Sequence, residues 1–350
     1  MQAILKVEEG KVALQTVEVP KPGPGQVLVK IFAAAQNPSD WMKLKRGWGE
    51  GEGLIVGHDF AGVIQQLGPN LSESSTRSNR QIGQRVAGFV NGCMTPENGG
   101  SLAEYCVADE TMLIDLPDDM SFESASTIGF AAFTACQALW QNQTLPTPFD
   151  ATKDPFPILV WSGASAVGQY AVQLAKQSGL QVITTASPRN HELLKKLGAD
   201  AVFDYRDNEV VSKITTFCGD NKLNVAIDCA SNDESISLIA QCIGDRKESY
   251  IALVLPVEVK AKHIRSDFTY VYTLLGKPTK DKYNYPAIPE HYVLGKWCAG
   301  LLSHLAKQGT LSTVPIRVVP NGLADAQYWI KYQEEGKVRA EKIVYRVRSS

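Results

Sequence analysis

The chain before residue 121 has the pattern of β-structure. Short apolar or β-branched runs that are separated by Gly, Pro and polar residues are typical of strands. The clearest runs lie at 26–34, 54–68, 84–90 and 102–108. Glycines inside the 54–68 run indicate a bend or a close approach of another backbone segment. The pattern therefore predicts a first domain built mainly from β-strands.

Beyond residue 121 the pattern becomes helical and then alternates. Residues 121–140 predict a single helix, with Ser121 as its N-cap and Glu123 in its first turn. After a Pro-rich connection at 144–157, strand patterns alternate with helix patterns, which predicts βαβ units and a parallel sheet. The predicted strands lie at 158–162, 181–186, 201–205, 224–230 and 250–255, and the helix patterns between them end near 178 or span 190–197, 208–218 and 233–243. A last strand pattern, 342–348, is expected to return to the first domain, because chain termini often lie close together.

Composition and charge fit a soluble protein of about two domains. The 350 residues include 44% hydrophobic and 21% charged residues, and the formal net charge is −2. A nucleic-acid-binding domain is usually basic, and the chain lacks a polybasic membrane signal, so neither nucleic acid nor a membrane is an expected partner. The N-terminal residues lack the apolar core of a signal peptide, and a cytoplasmic location is expected.

The seven cysteines do not form a recognisable framework. Their number is odd, and no two of them have the spacing C-x-x-C. A disulfide scaffold and a structural zinc ribbon are therefore both disfavoured.

The sharpest chemical motif is the segment 158–176, ILVWSGASAVGQYAVQLAK. An apolar strand ends at Ser162, a turn of small residues continues to Gly168, and the helix beyond it has apolar residues on one face. Small residues allow the backbone to approach a pyrophosphate, and a helix N-terminus offers N–H donors and a positive dipole end. The middle glycine of G-x-G-x-x-G is replaced, so the prediction of a dinucleotide site depends on the strand–turn–helix context. The alternative is a tight turn that binds nothing.

The end of the next predicted strand indicates which dinucleotide is bound. An NAD site usually places Asp or Glu about 20 residues further on, where it binds the ribose 2′-hydroxyl. Here the strand ends in TASPRN, 185–190, without an acidic residue. Ser187 and Asn190 can donate hydrogen bonds to a 2′-phosphate and Arg189 can pair with it, which predicts NADPH as the cofactor. The alternative is that Ser187 or Asn190 caps the next helix and that Arg189 is a solvated charge.

Several segments together resemble the medium-chain dehydrogenase/reductase superfamily. HELLKKLGADAVFDYRD, 191–207, is similar to the cofactor-domain signature of that family. NPSDW (37–41), GHDFAGVIQQLG (57–68) and IGQRVAG (82–88) are similar to its N-terminal catalytic domain. The resemblance covers nearly the whole chain, in order.

The resemblance implies an α/β fold with two domains. A GroES-like β-barrel catalytic domain would be formed by both chain ends, 1–125 and 285–350. A Rossmann domain with a doubly wound parallel sheet, 126–284, would be inserted between them and would bind NADP.

Within the superfamily, the chain most resembles the fungal trans-acting enoyl reductases of the lovastatin type, which serve iterative polyketide synthases. The features that suggest this subgroup are the Pro-rich insertion at 144–157, SPRN at 187–190 and FDYRD at 203–207. The resemblance implies an NADPH-dependent enoyl reductase that transfers hydride to the β-carbon of an α,β-unsaturated thioester. The small enoyl substrate would be held by the carrier protein of a polyketide synthase or of a synthase–peptide synthetase hybrid, and the enzyme would be a monomer or a homodimer.

The resemblance also implies which residues contact the cofactor and the substrate. Cofactor contacts are implied at Ser39, Asp40, Trp41, Met42, Ser165, Ala166, Val167, Gly168, Ser187, Pro188, Arg189, Asn190, Tyr205, Leu253, Val254, Arg339 and Ala340. Substrate contacts are implied at Thr134, Ala135, Cys136, Gln137, Ala138, Leu139, Trp140 and Gln141, and at Tyr272, Thr273, Leu274, Leu275 and Gly276.

The same resemblance implies that the enzyme is independent of zinc. Zinc-dependent relatives hold the catalytic metal with Cys, His and Cys, and these positions fall here at Asn37, at His58 and near Phe130. A catalytic zinc site takes about three protein ligands, so no metal is expected. Conjugate reduction needs less help than alcohol oxidation, because hydrogen-bond donors can stabilise the enolate that forms. No general acid stands out, and Lys43, His58 and Tyr272 are candidates by location only.

Two other functions remain open at this point. The turn GASAVG, 163–168, is closer to the general quinone-reductase form, which keeps a zinc-independent quinone or small-enone oxidoreductase as the alternative. A protein that binds NADPH without performing chemistry would share the same cofactor motif. Turnover of a carrier-bound enoyl substrate, compared with small enones and quinones, separates the three.

Overall fold

The computed structural model describes residues 1–45, 51–69, 71, 80–94, 99–219, 223–246 and 248–347. The chain divides into two compact units, which we call unit 1 (Met1–Phe133 with Tyr272–Ser350) and unit 2 (Thr134–Val271). From the sequence alone, the corresponding divisions are expected after residue 125 and after residue 284.

The strands and helices are numbered here in chain order. The strands are β1 (Gln2–Glu8), β2 (Lys11–Thr16), β3 (Gln26–Ala35), β4 (Asp59–Leu67), β5 (Arg85–Phe89), β6 (Tyr105–Asp109), β7 (Ile114–Asp115), β8 (Pro157–Trp161), β9 (Gln181–Thr185), β10 (Ala201–Phe203), β11 (Val225–Asp228), β12 (Ser249–Leu253), β13 (Ile264–Phe268), β14 (Ile316–Val318) and β15 (Lys342–Arg346). The helices are α1 (Pro38–Lys45), α2 (Phe122–Ala125), α3 (Gly129–Trp140), α4 (Ala166–Gln177), α5 (His191–Lys196), α6 (Val210–Cys218), α7 (Asp233–Ile243), α8 (Pro289–Lys307) and α9 (Ala326–Glu334). None of the helices in the described part of the chain is both long enough and apolar enough to cross a membrane.

Unit 1 is built mainly from antiparallel strands, as the apolar runs before residue 121 predict. Its larger sheet has the hydrogen-bonded order β14-β15-β3-β4-β5-β7, and β6 also pairs with β3. Strand β15, from the end of the chain, pairs antiparallel with β3, where Val344 lies opposite Ala35. The predicted return of the terminal strand is therefore confirmed. The core beneath these strands includes the buried side chains of Ile31, Phe60 and Tyr345.

Unit 2 contains a parallel sheet with the strand order β10-β9-β8-β11-β12-β13. Numbered along the unit this order is 3-2-1-4-5-6, which is the doubly wound arrangement, and the predicted βαβ units are confirmed. The strand order reverses between β8 and β11, where Trp161 is paired with Asp228. Ligands of such sheets bind outside the carboxyl ends of the strands at this reversal.

The prediction of a single helix at 121–140 is wrong, because the structure has two helices in this segment, α2 and α3. The hydroxyl groups of Ser126 and Thr127 donate to the carbonyl oxygens of Glu123 and Ser124, each at 2.8 Å. Such side-chain bonds to the backbone compete with helix continuation. The N-cap expected at Ser121 is confirmed, since its hydroxyl accepts a hydrogen bond from the Ser124 N–H at 3.2 Å.

Candidate functional site

The turn after β8 has the form that a pyrophosphate requires. Ser162 follows the strand directly and has a φ of 60°, which is uncommon for a residue with a side chain. The Ser165 hydroxyl caps α4 by accepting a hydrogen bond from the Gly168 N–H at 3.0 Å. Ala166 and Val167 begin the helix, are partly exposed, and have N–H groups without a partner inside the helix. These donors and the positive end of the helix dipole can receive an anion.

Two glycines of this turn occupy space that a side chain would fill. A Cβ added at Gly163 would lie 2.0 Å from Thr184 Oγ1, and one added at Gly168 would lie 2.6 Å from Gly163 Cα. The first contact is with the neighbouring strand β9, and the second is within the turn itself. The glycines thus keep the strand, the turn and the helix in close contact, as dinucleotide-binding turns require. On this evidence the residues present fit a dinucleotide pyrophosphate.

Polar groups at the end of β11 support the same turn. The Asp228 carboxylate accepts hydrogen bonds from the Ser231 N–H and from the Ser235 hydroxyl. Burial raises the pKa of Asp228, and these hydrogen bonds oppose the shift. Cys229, the next residue, forms a side-chain hydrogen bond with Ser165, and burial raises the pKa of its thiol. The ends of β8 and β11 are therefore linked at the reversal of strand order.

The predicted 2′-phosphate site lies after β9, on a short 3-10 helix, Pro188–Asn190. Neither the Ser187 nor the Asn190 side chain makes a capping hydrogen bond, so the capping alternative is not observed. Arg189 is exposed. Tyr205, after β10, is 40% exposed, and the Arg206 guanidinium lies 5.6 Å from the centre of its ring. Hydroxyl, amide and guanidinium donors thus lie on two successive loops of the same sheet.

The remaining cofactor residues implied by the resemblance have different surroundings. Leu253 is buried at the end of β12, and the Val254 N–H donates to the Ser231 hydroxyl at 2.8 Å. In unit 1, the Arg339 guanidinium donates to carbonyl oxygens of its own turn, among them that of Val338 at 3.1 Å. Ala340 has a φ of 54°, in the left-handed region. Cofactor contacts at these four residues stay a prediction.

Unit 1 contains a buried chain of hydrogen bonds that begins on α1. Asp40 Oδ2 accepts from the Asn37 N–H at 2.7 Å, which closes the first turn of the helix. Asp40 Oδ1 lies 2.6 Å from His58 Nδ1, and His58 Nε2 lies 2.6 Å from the Tyr272 hydroxyl oxygen. The side chains of Asp40 and His58 have no solvent exposure, and Tyr272 is 3% exposed. The edge of the His58 ring packs against Phe130, with the ring centres 5.1 Å apart.

Lys43 lies in the same cluster. Its Nζ donates to the Asn91 side chain and to the Gly92 carbonyl oxygen, and it lies 4.0 Å from the centre of the Tyr272 ring. Burial lowers the pKa of Lys43 to about 7. Burial and then the Lys43 charge lower the pKa of His58, whereas burial raises the pKa of Tyr272. The three catalytic candidates of the sequence analysis are therefore brought together.

The helix α1 also carries the first group of predicted cofactor residues. Ser39 and Met42 are buried, and Trp41 is partly buried against the core of unit 1. Because both carboxylate oxygens of Asp40 are engaged within unit 1, its side chain serves the buried chain of hydrogen bonds. Cofactor contacts at these four residues remain untested predictions.

Two of the three positions that bind zinc in metal-dependent relatives, Asn37 and Phe130, form hydrogen bonds with the buried Asp59 carboxylate. Asn37 Nδ2 donates to Asp59 Oδ2 at 2.9 Å, and Asn37 Oδ1 accepts from Lys342 Nζ at 2.8 Å. Lys342 and Asp59 form a buried ion pair, and the Phe130 N–H donates to the Asp59 carboxylate. These three positions do not fit a tetrahedral zinc site. The Asn37 amide is already hydrogen-bonded, Phe130 has no ligand atom in its side chain, and both ring nitrogens of His58 are hydrogen-bonded. Across the described residues, no group of three or more His, Cys, Asp or Glu side chains is arranged to hold a metal ion.

The two segments expected to contact the substrate belong to different units. Residues 134–141 lie at the end of α3 in unit 2, where 134–139 are buried, and the Trp140 indole N–H donates to the Pro146 carbonyl oxygen at 3.0 Å. Residues 272–276 lie in unit 1 and include most of a 3-10 helix, in which the Thr273 hydroxyl lies 2.8 Å from His291 Nδ1. Substrate contacts in both segments stay a prediction.

Three residues that complete the cluster in unit 1, Asp59, Asn91 and Lys342, are not predicted from the sequence. Asp59 directly follows His58, and this adjacency is the signal that was available. Asn91 lies 48 residues beyond Lys43, and Lys342 lies 283 residues beyond Asp59. No local pattern connects residues so far apart, because only the tertiary structure brings them together.

Family models match both units of the chain. The model of the alcohol dehydrogenase GroES-like domain matches residues 23–118, and the model named zinc-binding dehydrogenase matches residues 166–248. The first match lies in unit 1 and the second in unit 2.

Curated relatives are similar to the chain over nearly its full length. A trans-enoyl reductase of Alternaria alternata is 33% identical over 99% of this chain and 98% of its own length. A trans-enoyl reductase of Gibberella fujikuroi is 34% identical over the same shares of both chains.

Solved structures have the same fold. The quinone oxidoreductase of Coxiella burnetii is 27% identical, with a TM-score of 0.70, and the match covers 99% of both chains. A mycobacterial protein determined in complex with NADPH is 21% identical, with a TM-score of 0.75, over 98% of this chain and 99% of the other. The predicted α/β fold, with a GroES-like domain and a parallel Rossmann sheet, is therefore confirmed.

Proposed function

We propose, from the premise that this chain belongs to the medium-chain dehydrogenase/reductase superfamily and stands close to the fungal trans-enoyl reductases, that it reduces an α,β-unsaturated thioester with NADPH. The chain is an oxidoreductase that acts on a carbon–carbon double bond and uses a nicotinamide cofactor. The thioester substrate and the preference for NADPH are the proposed refinements.

The observation that carries this proposal is the similarity to the two trans-enoyl reductases, at 33% and 34% identity over 99% of the chain. The site supports it independently. Unit 2 has a turn that fits a pyrophosphate, and unit 1 has a buried cluster of proton-bearing side chains.

The choice of NADPH is supported by the chemistry of the loop after β9. A 2′-phosphate is stabilised by charge-assisted hydrogen bonds, and Ser187, Arg189 and Asn190 can donate them. Arg206 adds a second guanidinium on the next loop, where it is paired with Asp204. The Ser187 and Asn190 side chains are not used as helix caps, so their donors remain available to a ligand.

The proposed reaction requires the protein to stabilise a developing negative charge and to supply a proton. The bound dinucleotide supplies a hydride to the β-carbon of the substrate. Negative charge then develops on the thioester oxygen, and a proton must reach the α-carbon. Hydrogen-bond donors and positive charge stabilise such an enolate, and the cluster of Lys43, His58 and Tyr272 supplies both.

We also propose that the acyl group is presented by the carrier protein of a polyketide synthase or of a synthase–peptide synthetase hybrid. The support is the description of the relatives as trans-enoyl reductases, which fits a reductase that acts on a substrate held by another protein. We propose that the reaction takes place in the cytoplasm and that the enzyme is a monomer or a homodimer.

The test is a comparison of substrates with purified protein and NADPH. Oxidation of NADPH is measured with a crotonyl group on a polyketide synthase carrier protein, with the same group on N-acetylcysteamine, and with naphthoquinone. We expect the two thioesters to be reduced and the carrier-bound one to have the higher kcat/KM. Product mass, measured by mass spectrometry, should increase by two hydrogen atoms.

A second candidate function is a zinc-independent quinone or small-enone oxidoreductase. It is favoured by the GASAVG turn and by the 27% identity to the Coxiella burnetii quinone oxidoreductase over the full chain. Fast turnover of naphthoquinone together with no turnover of either thioester would establish this candidate and contradict the first. Tight NADPH binding without oxidation by any substrate would contradict both.

A further inference from the structure

We infer that the side-chain amide of Asn91 donates a hydrogen bond to the thioester oxygen of the substrate, with Lys43 as the positioning residue behind it. This inference rests on the proposed function, because it names the group that stabilises the enolate formed when hydride adds to the β-carbon. Neither the sequence pattern nor the family resemblance indicates Asn91, which is assigned from the pocket that it lines and from its contact with Lys43.

Asn91 is partly exposed and lines a pocket whose walls all belong to unit 1. The buried side chains of Phe89, Val90 and Ala108 give the pocket an apolar lining, and Lys277 is among its polar residues. The pocket volume is about 50 Å³, which is room for roughly three to five groups of the size of a water molecule. A thioester carbonyl with its neighbouring carbons fits that space, and an apolar lining with a few polar groups is typical of small-molecule sites.

The pocket adjoins the buried cluster of unit 1 through two contacts. Lys43 Nζ donates to the side-chain oxygen of Asn91. The ring of Phe89 lies 5.8 Å from that of Phe130, and the ring of Phe130 lies 5.1 Å from that of His58, measured between ring centres. Asn91 is therefore the residue that connects the buried ammonium group with the pocket.

The Lys43 contact determines which end of the Asn91 amide is available to a ligand. An ammonium group has only donor hydrogens, so the amide turns its oxygen toward Lys43 and its NH2 group away. Within the part of the chain that the structure describes, the hydrogen bond from Lys43 is the only one made by the Asn91 side chain. The NH2 group is thus a donor that a ligand in the pocket can use.

Two other residues of the pocket carry side-chain donors, but neither has a buried charge behind it. The Gln26 side-chain oxygen accepts from the Gly23 N–H at 2.9 Å, which is a neutral contact within a turn. Lys277 is exposed, and water and salt screen the charge of an exposed ammonium. Asn91 is therefore the donor best placed to meet a developing negative charge.

The buried Lys43 makes the Asn91 amide a stronger donor. Hydrogen bonds in a chain polarise one another, the more so where the local dielectric is low, and the Lys43 side chain has no solvent exposure. Its Nζ is also held by the Gly92 carbonyl oxygen at 3.0 Å and lies 4.0 Å from the centre of the Tyr272 ring. Asn side chains stabilise oxyanions by donation of this kind, and here a fixed positive charge lies behind the donor.

The Lys43 charge has a defined pH range. Burial lowers the pKa of Lys43 to about 7, so the ammonium form is lost as the pH rises through that value. The titratable groups that act on Lys43 are those of Asp40, His58, Cys93, Tyr272 and Asp281. We expect kcat of the wild type to fall across this range, because a neutral amine stabilises the enolate less. Lys43→Met should lack this fall, and a fall of the same size in both proteins would overturn the role of Lys43.

The first experiment compares Asn91→Asp with Asn232→Asp. A carboxylate at position 91 still accepts from Lys43 but cannot donate to a substrate, so the contact within unit 1 is kept while the donor is lost. Asn232 is an exposed N-cap whose side-chain oxygen accepts from the Ser235 N–H at 2.9 Å, and Asp caps a helix about as well. Each variant thus converts one amide into one carboxylate. Reduction of crotonyl-N-acetylcysteamine, the NADPH dissociation constant and urea denaturation are measured for both.

We expect kcat of Asn91→Asp to fall roughly 10²–10³-fold, as for the loss of one oxyanion-hole donor. Its NADPH dissociation constant should be unchanged, and its urea midpoint should not fall. Asn232→Asp should stay within a few-fold of the wild type in every measurement. A normal kcat in Asn91→Asp would overturn the assignment.

A second measurement uses the wild type and does not depend on a variant being folded. Crotonyl-N-acetylcysteamine, isotope-labelled at the carbonyl carbon, is bound together with oxidised NADP, which cannot reduce it, and infrared difference spectroscopy gives the carbonyl stretching frequency. A donor in the pocket should lower this frequency below that of the same thioester in an apolar solvent. A frequency equal to that in the apolar solvent would overturn the inference.

The same spectrum separates a positioning role of Lys43 from a merely structural one. In Asn91→Asp the carbonyl band should return toward its apolar-solvent position, and in Lys43→Met, where the amide is no longer held, it should move in the same direction. An unchanged band in Lys43→Met would overturn the positioning role. If the wild type reduces no enoyl thioester, the proposed function itself fails. If the wild type does so and Asn91→Asp matches it, only the assignment of Asn91 fails.

Discussion

Lys342 and Asp59 form an ion pair with almost no contact with water, since their side chains are 3% and 0% exposed. In such a pair the cost of desolvation largely offsets the attraction, but removal of one partner leaves the other charge buried alone. The Asn37 amide and the Phe130 N–H also donate to the carboxylate, but neither carries a charge. Removal of the Lys342 ammonium would therefore leave the buried Asp59 carboxylate without its ion-pair partner.

We expect Lys342→Met to lower the free energy of unfolding by about 3–5 kcal/mol, as for other broken buried pairs. The measurement is urea denaturation of the protein without ligand. Lys307→Met is the control, because Lys307 pairs with Asp115 but is 52% exposed, and it should cost at most about 1 kcal/mol. Equal losses in the two variants would show that burial does not set the strength of the Lys342 pair.

Arg189 allows a test of cofactor choice at the scale of one residue. Arg189→Ala should raise the dissociation constant for NADPH roughly tenfold or more, because a charged hydrogen bond is lost, and should leave that for NADH nearly unchanged. Fluorescence titration with both dinucleotides measures this. Lys195→Ala, on the neighbouring helix α5, removes an exposed positive charge paired with Glu192 and should not discriminate. An equal effect on NADPH and NADH would contradict the role of Arg189.

At the scale of elements, the junction of β8 and α4 depends on close backbone packing. The space at Gly168 is closed by Gly163 Cα and by the Ser162 carbonyl oxygen, each 2.6 Å from an added Cβ. Backbone atoms cannot move aside as a flexible side chain can, so a methyl group must displace the helix end from the turn. The donors of that helix end are the ones proposed to bind the pyrophosphate.

We therefore expect Gly168→Ala to weaken binding of both NADPH and NADH and to lower the melting temperature. Gly300→Ala is the matched control, because Gly300 is exposed in α8 and an added Cβ meets nothing within 4 Å. That variant should be more stable by up to about 1 kcal/mol, since alanine is the better helix former. Calorimetry and titration of both variants give the result, and tight dinucleotide binding by Gly168→Ala would contradict the role of the turn.

The elements that could be predicted from the sequence are those with a strong local pattern. The helix expected at 233–243 is found as α7, Asp233–Ile243, and the turn after β8 was recognised from its small residues. The helix α1 was not predicted, because its buried residues include Ser39, Asp40 and Lys43, and polar residues at buried positions break the apolar pattern by which a helix is recognised. The sequence likewise indicated Lys43, His58 and Tyr272 only as separate catalytic candidates. Their neighbours Asp59, Asn91 and Lys342 are brought to the cluster by tertiary structure.

At the scale of the whole molecule, the buried Lys43 links stability to pH. Its pKa in the folded protein is about 7, whereas an unfolded lysine titrates near 10.4. Between these two values the unfolded chain binds more protons than the folded chain at this residue, so stability rises with pH. Below pH 7 both states are protonated, and the contribution of Lys43 is constant and least favourable.

From pH 7 to about 10, the Lys43 contribution to the free energy of unfolding should increase by at most about 1.4 kcal/mol per pH unit. Denaturant titrations of the wild type and of Lys43→Met across this range measure it. The variant should lack this part of the slope, although other groups titrate in both proteins. Parallel profiles for the two would show that Lys43 keeps an ordinary pKa when buried.

The pairing of β15 with β3 has a consequence for the order in which the chain can fold during synthesis. Residue 271, the last of unit 2, is made before the whole segment Tyr272–Ser350 of unit 1. The ribosome therefore releases a complete Rossmann sheet while the GroES-like sheet still lacks β14 and β15. Until those final strands emerge, the nascent chain carries an acidic side chain at position 59 whose counter-ion has not yet been translated.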